Sequence, residues 1–452
     1  MDTMSVTHQP APAIPTPPQT ISAPQRVLSI DVLRGLTIAL MILVNDPGDW
    51  AHTYSQLDHA SWNGFTLTDF VFPNFLFLVG ASIIFSMQSR LARGASKKTL
   101  ALHIFRRAFL IFAIKMFLTA YPHFHYHNLR IYGVLTRIAL CYLVAGLICL
   151  FTQRARTLLI ITATLLVGYW ALMRFVPVPG LGVPTHNFPI LDHDNNLAAW
   201  LDRVINAFTQ RTLQTGRLYE HTRDPEGLLS TLPAIATTLI GSVTAIWLRR
   251  VGSPQSPSLP PNQTHFAAPE STSSRPERSG VERPLYFSGS ATAITPAQCL
   301  QGLSLTGIAG LITGLLWNPT FPINKNLWTS SYVLYSAGWS LLTLALCYWL
   351  IDMRRLNERP IGKALLWPWL VFGSNAITAF VISNFLVLTL IWIKVPNSFT
   401  GKTTTMMGWL YQHIFARHGS TNVTSLAFAI AFVAVCLIPN WLLWRKRIFL
   451  KV

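Results

Sequence analysis

Apolar residues in this sequence fall into long, nearly uninterrupted runs separated by shorter polar stretches. Each run approaches the ~20 residues that a helix needs to cross the hydrocarbon core of a bilayer. The short alternating pattern of an outer-membrane barrel does not occur in the sequence. We therefore expect an all-α integral membrane protein, a polytopic bundle of ten transmembrane helices. The predicted spans are residues 29–46, 68–88, 104–121, 131–151, 157–176, 228–248, 299–317, 328–351, 366–393 and 422–444.

Two of the runs contain residues that modify a simple helix. The ninth run is long and is interrupted by Gly373, Ser374 and Asn375, which predicts a tilted or locally unwound helix. The seventh run carries Gly310 and Gly314 four positions apart, a spacing typical of helices that approach each other closely.

The distribution of Lys and Arg predicts the orientation of the bundle. If the N-terminus is inside, 23 of the 35 Lys and Arg residues lie on the cytoplasmic side, and the loop from Pro47 to Thr68 contains none. The positive-inside rule then places both termini in the cytoplasm and this loop on the far side of the membrane. Because the cations cluster at helix ends, the net charge of +18 does not predict a nucleic-acid partner.

Composition divides the chain into two membrane parts and two polar segments. Residues 1–25 are rich in Pro and Thr and predict a disordered cytoplasmic tail; residues 252–297 are rich in Pro and Ser and predict a disordered cytoplasmic linker. Residues 26–251 form the first part of the core, with spans 1–6 and an external loop at 177–227. Residues 298–452 form the second part, with spans 7–10.

The stretch LDHASWNGFTLTDF, residues 57–70, brings a dense polar group to the membrane edge. Its centre is His59, whose imidazole can accept a proton or attack a carbonyl near neutral pH. A lone loop histidine is usually a solvated bystander. Polar groups at a membrane boundary are costly unless they are satisfied or used, so the density favours a functional site. The polar neighbours of His59 are Asp58, Trp62, Asn63 and Asp69.

The first span contributes candidates at both of its ends. Asp31 and Arg34 are three positions apart on one helix face, which is consistent either with an interfacial ion pair or with an arginine that meets an anionic cofactor from the cytoplasm. Asn45 ends the span, directly before the Asp46, Pro47 and Gly48 turn.

Other charged residues lie in or beside predicted spans, where an unpaired charge is costly. Arg137 lies inside the fourth span and Lys325 lies just before the eighth, so each needs a partner or an aqueous cavity. Asp224 and Glu226 precede the sixth span and either cap that helix or bind the cationic amine of a sugar. The HFHYH segment at 123–127 lacks nearby Cys or acidic residues in the sequence, and we expect no metal site.

Several motifs together resemble the heparan-alpha-glucosaminide N-acetyltransferase family, in its bacterial branch. They are SIDVLRG with MILVN, HASWNGFTLTDFVFPNFLFLVG, IYGVLTRIALCYL at 131–143, DPEGLLSTLPAIATTLIG at 224–241 and FPINKNLWTSSYVLYSAGW at 321–339. The histidine segment and NKNLWT are the most specific, and the motifs extend over most of the chain outside the two polar segments.

The resemblance implies an integral-membrane enzyme that moves an acetyl group from cytoplasmic acetyl-CoA to an amino sugar on the far side. The family's active-site histidine falls on His59, its associated asparagine on Asn45, and its W-N-G…D aspartate on Asp69. The animal enzyme has a lumenal domain and an additional helix before the first shared span. We expect neither here, which makes a bacterial envelope glycan bearing glucosamine the expected acceptor. The resemblance also implies an inner-membrane location, and a homodimer is a candidate assembly.

Residue chemistry agrees with these roles. His59 serves as general base or as nucleophile, Asn45 donates to the oxyanion, and Asp58 or Asp69 orients the imidazole. The candidate acetyl-CoA ligands are Arg34, Arg137 and Lys325. The candidate acceptor ligands are Trp62, Asn63, Asp224 and Glu226. The alternatives are O-acetylation of an envelope glycan, a small-molecule transporter or a scaffolding protein; a transporter would show paired repeats with broken helices, and none is evident in the sequence.

Overall fold

A computed structural model describes residues 27–251, 293–396, 401 and 403–449. The predicted disordered tail and residues 252–292 of the predicted linker lie outside the described residues; α8 already begins at Pro296, inside the predicted linker. Within the described residues the chain forms thirteen α-helices: α1 (Leu28–Asn45), α2 (Leu67–Leu91), α3 (Lys97–Ala120), α4 (Val134–Phe151), α5 (Ala155–Phe175), α6 (Leu197–Leu213), α7 (Thr231–Leu248), α8 (Pro296–Trp317), α9 (Ser330–Cys347), α10 (Pro360–Ser374), α11 (Ala376–Trp392), α12 (Met406–Leu410) and α13 (Asn422–Arg445).

Eight of the helices in the described part of the chain are long and apolar enough to cross a membrane. They are α1, α2, α4, α5, α7, α8, α13 and α9 with its π-helical continuation to Met353. Helix α3 has 24 residues but contains Arg106, Arg107 and Lys115, and α10 and α11 pass only as a bent pair. The protein is therefore a helical, multi-pass membrane protein, and the count of ten spans stays a prediction. One departure from an all-helical chain is the small antiparallel hairpin of β1 (Lys394–Pro396) and β2 (Thr403–Thr405).

The predicted ninth span is not one helix. The chain bends by 82° between α10 and α11, at the Gly373–Asn375 interruption seen in the sequence. Asn375 donates from its side chain to the carbonyl of Ile448, whereas Thr389 near the end of α11 lies 3.1 Å from the hydroxyl of Tyr121 after α3. Helix α10 thus begins and ends near the same end of the bundle, and α11 crosses to the other end.

Close backbone contacts hold the helices together. A Cβ on Gly80 of α2 would overlap the carbonyl oxygen of Thr238 in α7, and one on Gly241 of α7 would overlap that of Phe77 in α2. In the same way Gly310 and Gly314 of α8 face the backbone of α9, as their spacing predicts. Helices without a water-driven force between them gain most from such close packing.

The loops that follow α1, α3, α5, α8 and α11 meet at one end of the bundle, which we call the His59 end. Gly64 donates to the carbonyl of Ile323, and the indole of Trp62 donates to that of Leu191. The carboxylate of Asp49 accepts a hydrogen bond from Ser420, and Arg130 pairs with Asp224. These contacts build a folded cap, which includes α6, over one end of the membrane helices.

The remaining loops meet at the opposite end. There Asp352 accepts from the backbone N–H groups of Leu28 and Ser29, which are unsatisfied donors at the start of α1. Val251 pairs with Ile294 beside the start of α8. The alternation of ends agrees with the predicted path of the chain. Which end faces the cytoplasm stays a prediction from the charge distribution.

Candidate active site

The position of Asp69 is fixed by the start of α2. Thr66 caps this helix and accepts from the N–H of Asp69, and the carboxylate of Asp69 accepts in return from the N–H of Thr66 at 3.1 Å. This reciprocal capping box also places a carboxylate at the positive end of the helix dipole. The Asp69 side chain is only 1% exposed, so it is held with little freedom.

His59 is the second partner of this buried carboxylate. Its Nδ1 lies 2.8 Å from Oδ1 of Asp69, while Oδ2 of Asp69 accepts from the N–H of Ala60 at 3.1 Å. The His59 side chain is 44% exposed. With Nδ1–H donated to Asp69, Nε2 carries the lone pair and is the atom available to a substrate. The geometry is that of a carboxylate-oriented imidazole, which can act as a base or as a nucleophile.

The two carboxylates that the sequence offered as partners of His59 have different contacts. Asp58 is exposed, and its side chain accepts from the backbone N–H of His59 at 2.8 Å. Asp69 contacts the imidazole itself. Asp58 therefore supports the backbone of the loop, and Asp69 is the carboxylate placed to orient the ring.

Lys325 reaches the same imidazole from the loop before α9. Its Nζ lies 2.8 Å from Nε2 and 3.0 Å from Nδ1 of His59, and 3.9 Å from Oδ1 of Asp69. A point at those two distances lies over the face of the ring, because a position in the ring plane would overlap Cε1. Burial lowers the pKa of Lys325, which the nearby carboxylates of Asp69 and Glu226 oppose. The in-plane lone pair of Nε2 is therefore left open, with an amine directly beside it.

Hydrogen bonds lock the Lys325 loop to the His59 loop. The side-chain amide of Asn324 donates to the carbonyl of Trp62 at 3.0 Å and to the side chain of Asn63 at 3.1 Å. The Trp62 ring lies under the guanidinium of Arg223, 4.5 Å away, and so joins the loop to the segment between α5 and α7. Trp62 is thus a positioning residue, while Asn63 is exposed beside the site.

A chain of aromatic residues continues from Asp69 into the bundle. The hydroxyl of Tyr332 donates to the carbonyl of Asp69 at 2.7 Å, and the ring of Trp328 packs edge-on against Tyr332. Trp328 is 1% exposed and has a φ of +50°, an unusual backbone for a bulky residue. The guanidinium of Arg137 lies over this indole at 4.9 Å. The strained Trp328 therefore links the site to Arg137.

Arg137 is enclosed at the His59 end of α4. Its Nη2 donates to the carbonyl of Gly227 at 3.2 Å and to the hydroxyl of Ser230, and the residue is 1% exposed. Its Nε and Nη1 have no hydrogen-bond partner among the described residues. An enclosed guanidinium orders the turn before α7 and stacks on Trp328. Contact with the phosphates of a cofactor stays a prediction for this residue.

Asp224 and Glu226 form a buried ion-pair cluster with Arg130. The Asp224 oxygens accept from Arg130 at 2.8 and 2.7 Å, and Glu226 accepts at 2.5 Å. Burial raises the pKa of Asp224, whereas for Glu226 the charges of Arg130, Arg137 and Lys325 outweigh burial and lower the pKa. Helix α7 begins only at Thr231. Both acids therefore form ion pairs with Arg130. Binding of a sugar amine by these two residues stays a prediction.

Asp202 of α6 completes this cluster. It accepts from the backbone N–H groups of Asp224 and Leu228, both at 3.3 Å, and it is 1% exposed. Burial raises the pKa of Asp202 to about 7. A buried carboxyl group with a raised pKa therefore lies within the cap of the His59 end.

The remaining two candidates lie apart from the His59–Asp69 hydrogen bonds. Asn45 is exposed at the end of α1, and no hydrogen bond among the described residues joins it to His59. Arg34 donates through Nε to the carbonyl of Gly373 at 2.8 Å and pairs with Asp31 at 2.6 Å, so it caps the last turn of α10 at the bend. The oxyanion role of Asn45 and the cofactor role of Arg34 stay predictions.

Sequence reasoning did not select Arg130, Asp202, Asn324 or Tyr332. A signal existed for Arg130, because an arginine in a loop on the far side runs against the charge distribution and needs a partner. Helix α6 was also missed, although Leu197, Leu201, Ile205 and Phe208 follow a helical spacing. In the HFHYH segment the rings of His123 and His125 stack at 5.6 Å, and the described residues contain no group of three His, Cys, Asp or Glu side chains that could hold a metal.

These features describe a multi-pass membrane protein with a carboxylate-oriented histidine at one end of its helix bundle. The chain belongs to the heparan-alpha-glucosaminide N-acetyltransferase family, whose catalytic region it matches over residues 26–269. It is 27% identical to the heparan-alpha-glucosaminide N-acetyltransferase of Homo sapiens over 410 residues, which cover 79% of this chain and 52% of the human protein. The enzyme of the same name from Mus musculus is 28% identical over 410 residues, which cover 80% of this chain and 53% of the mouse protein. The chain thus spans about half the length of the curated relatives it matches.

Proposed function

We propose that this protein is an acetyl-CoA-dependent N-acetyltransferase that acetylates the amine of a glucosamine-type sugar at the His59 end. The single observation that carries the proposal is the His59–Asp69 pair, in which a buried carboxylate orients an exposed imidazole with Nε2 open. The family to which the chain belongs supports acetyl-CoA as the donor. The acceptor class is supported by the printed name of the human and mouse relatives.

Two routes use this geometry. In direct transfer, the free amine attacks the thioester carbonyl, Nε2 of His59 takes the amine proton, and the C–S bond breaks as the C–N bond forms. The imidazolium then returns the proton to the thiolate of CoA. In a two-step route, Nε2 attacks the carbonyl and the C–S bond breaks, which leaves an acetyl-imidazolium and the thiolate of CoA. The amine then takes the acetyl group as the bond to Nε2 breaks, and the proton that the amine loses neutralises the thiolate through solvent. Asp69 holds the ring in the required tautomer in both routes.

Among the candidate cofactor ligands, Lys325 is the one that contacts His59. Its Nζ lies 2.8 Å from Nε2 of His59, next to the position that the reacting carbonyl must occupy. It is therefore suited to donate to the acetyl oxygen as negative charge develops there, a task that the sequence alone suggested for Asn45. Arg34, at the opposite end, and Arg137 remain the candidates for the phosphates of CoA.

The proposed location follows from charge. The opposite end carries most of the Lys and Arg and would face the cytoplasm. Acetyl-CoA would then approach from the cytoplasm, and the acceptor would approach the His59 end from the other side of the membrane. The membrane would be the inner membrane of the cell. The glycan of the cell envelope is the proposed source of the amino sugar.

The test is thiol release from acetyl-CoA by the purified protein with and without glucosamine. We expect release that depends on glucosamine, or on N-acetylglucosamine if hydroxyl groups are the true acceptors. His59→Ala should abolish release. His52→Ala is the matched control, because His52 lies in the same loop and its Nδ1 is likewise 2.8 Å from a carboxylate, that of Asp49. Equal loss in both variants, or none in either, would contradict the proposal.

A further inference from the structure

An apolar groove of about 450 Å³ opens beside the cap of the His59 end. It lies between α3, α4 and α6, and Phe109, Leu140, Leu143 and Ile205 contribute to its walls. Phe109 is 67% exposed, so the groove communicates with the surface that faces lipid. A volume of this size is in the range of pockets that hold small ligands.

The groove has the depth of one membrane leaflet. Along α4 it is lined from Thr136 to Leu143, and it reaches Tyr132 just before the helix begins. The rise from Val134, the first residue of α4, to Leu143 is about 14 Å at 1.5 Å per residue, roughly half of a hydrocarbon core of about 30 Å. Because α4 begins at the His59 end, the groove extends from that end toward the middle of the helix.

Helix α6 forms the roof of the groove. Ile205 and Thr209 line the groove from above, while Val204, Phe208 and Leu213 expose apolar side chains on the other faces of the same helix. A helix with such a surface lies in the membrane interface. The chain turns directly after α6.

Arg217 lies at this turn and lines the groove. It is exposed, and none of the described residues gives its guanidinium a hydrogen bond or an ion pair. Every other wall side chain named above is apolar or uncharged. A cation at the rim of an apolar groove is complementary to an amphiphile that joins an apolar chain to an anionic group, and a guanidinium binds phosphate particularly well.

The inner wall of the groove adjoins the polar cluster of the cap. Leu228 lines the groove, and its N–H donates to Asp202. Asp202 also contacts the backbone of Asp224, whose partner Arg130 holds Glu226. Glu226 in turn lies within electrostatic range of Lys325, the residue that contacts His59. Hydrogen bonds therefore join the inner wall of the groove to Glu226, and the charge of Lys325 beside His59 acts on Glu226.

We propose that the groove binds the apolar chain of a lipid-anchored acceptor, and that Arg217 holds the anionic linkage between this chain and the amino sugar. The inference rests on the proposed function and adds its substrate class: an amino sugar that stays attached to a membrane lipid of the leaflet at the His59 end. The sugar then extends under α6 toward His59 while its anchor remains in the bilayer.

The experiment compares three acceptors in phosphatidylcholine nanodiscs: glucosamine, its dodecyl glycoside, and glucosamine joined to a dodecyl chain through a phosphodiester. We expect KM to be highest for glucosamine, about 10-fold lower for the dodecyl glycoside, and about 10-fold lower again for the phosphodiester. Partition of the chain into lipid also lowers an apparent KM, so two variants are compared with wild type. Leu140→Trp fills the groove, and Leu316→Trp places the same side chain on an exposed position of α8.

We expect Leu140→Trp to raise the KM of both dodecyl acceptors by about 10-fold relative to that of glucosamine, and Leu316→Trp to change neither ratio. Arg217→Gln should raise the KM of the phosphodiester acceptor alone, by about 10-fold. Ratios unchanged in Leu140→Trp would overturn the groove as the chain site. An equal effect of Arg217→Gln on both dodecyl acceptors would overturn the anionic linkage.

A second measurement does not depend on turnover. A photoreactive dodecyl phosphodiester of glucosamine should cross-link wild-type protein on α3, α4 or α6, and Leu140→Trp should reduce this labelling. If no acceptor is acetylated but labelling maps to these helices, the groove stands and the proposed reaction fails. If acetylation occurs and labelling is spread over all exposed helices as for a bulk lipid, the groove inference fails and the reaction stands.

Discussion

Arg130 is the residue whose removal should affect stability most clearly. It is 23% exposed, and its two partners are 0% (Asp224) and 13% (Glu226) exposed. Arg130→Met keeps much of the apolar volume but leaves two buried carboxylates without their cation. Breaking a buried pair by removing one partner typically costs about 3–5 kcal/mol, and the partial exposure of Arg130 places the expectation near the lower value, about 3 kcal/mol. For a chain of this size that is roughly 3–6 °C in apparent melting temperature.

The loss should depend on pH with a definite sign. Without Arg130, burial and the charge of Glu226 raise the pKa of Asp224 further above its value in the unfolded chain, and the pKa of Glu226 also rises, although Arg137 and Lys325 still lower it. The folded variant then binds more protons than the unfolded variant, so its stability rises as pH falls. The deficit against wild type should be full at pH 8 and smaller at pH 5.5, measured by thermal unfolding in detergent.

Two controls make this reasoning refutable. Replacing the acids as well, with Asp224→Asn and Glu226→Gln in the Arg130→Met background, should recover much of the loss because neither carboxylate is then buried without the arginine. Arg217→Met should change stability by no more than about 0.5 kcal/mol, since Arg217 is exposed. Melting temperatures that fall equally in Arg130→Met and Arg217→Met would show that the ion-pair cluster is not a stabilising element.

Three further predictions concern the site and the topology. Asp69→Asn should lower turnover by about 10⁴-fold with little change in the KM for acetyl-CoA, because the ring loses its tautomer; Asp49→Asn, beside His52, is the control, and steady-state thiol release is the assay. Asn45→Ala should reduce kcat by roughly 100-fold if Asn45 donates to the oxyanion, whereas unchanged kcat would assign that task to other donors such as Lys325. A reporter fused after Arg250 should act as cytoplasmic and one near Gln56 as external, and the reverse pattern would invert the assigned orientation.

The membrane helices could be predicted because a bilayer sets both their length and their composition. The first predicted span, 29–46, differs by one residue from α1, and the last, 422–444, by one residue from α13. The ninth predicted span is two helices and not one, α10 and α11. Hydropathy alone does not distinguish an apolar helix that stays at one end of the bundle from an apolar helix that crosses the membrane. The break itself was visible as Gly373, Ser374 and Asn375.

Several residues of the candidate site were proposed from the sequence, but most of their contacts with one another were not. His59 and Asp69 are ten positions apart and share one loop and helix start, so the sequence could propose their pairing. Lys325 is 266 positions from His59, and no local pattern encodes that contact. From the sequence alone, Lys325 was therefore predicted to bind the phosphates of the cofactor. The cap of the His59 end, including α6 and Arg130, depends on hydrogen bonds between distant loops, which a bilayer does not dictate.

The most direct test of the account is acetyl transfer across a sealed membrane. Protein is reconstituted in one orientation in proteoliposomes, with radiolabelled acetyl-CoA on the side of the opposite end and glucosamine on the side of the His59 end. We predict labelled N-acetylglucosamine on the His59 side for wild type and for His52→Ala, and none for His59→Ala. Product that forms only when donor and acceptor share one compartment, or wild-type transfer by folded His59→Ala, would contradict the account.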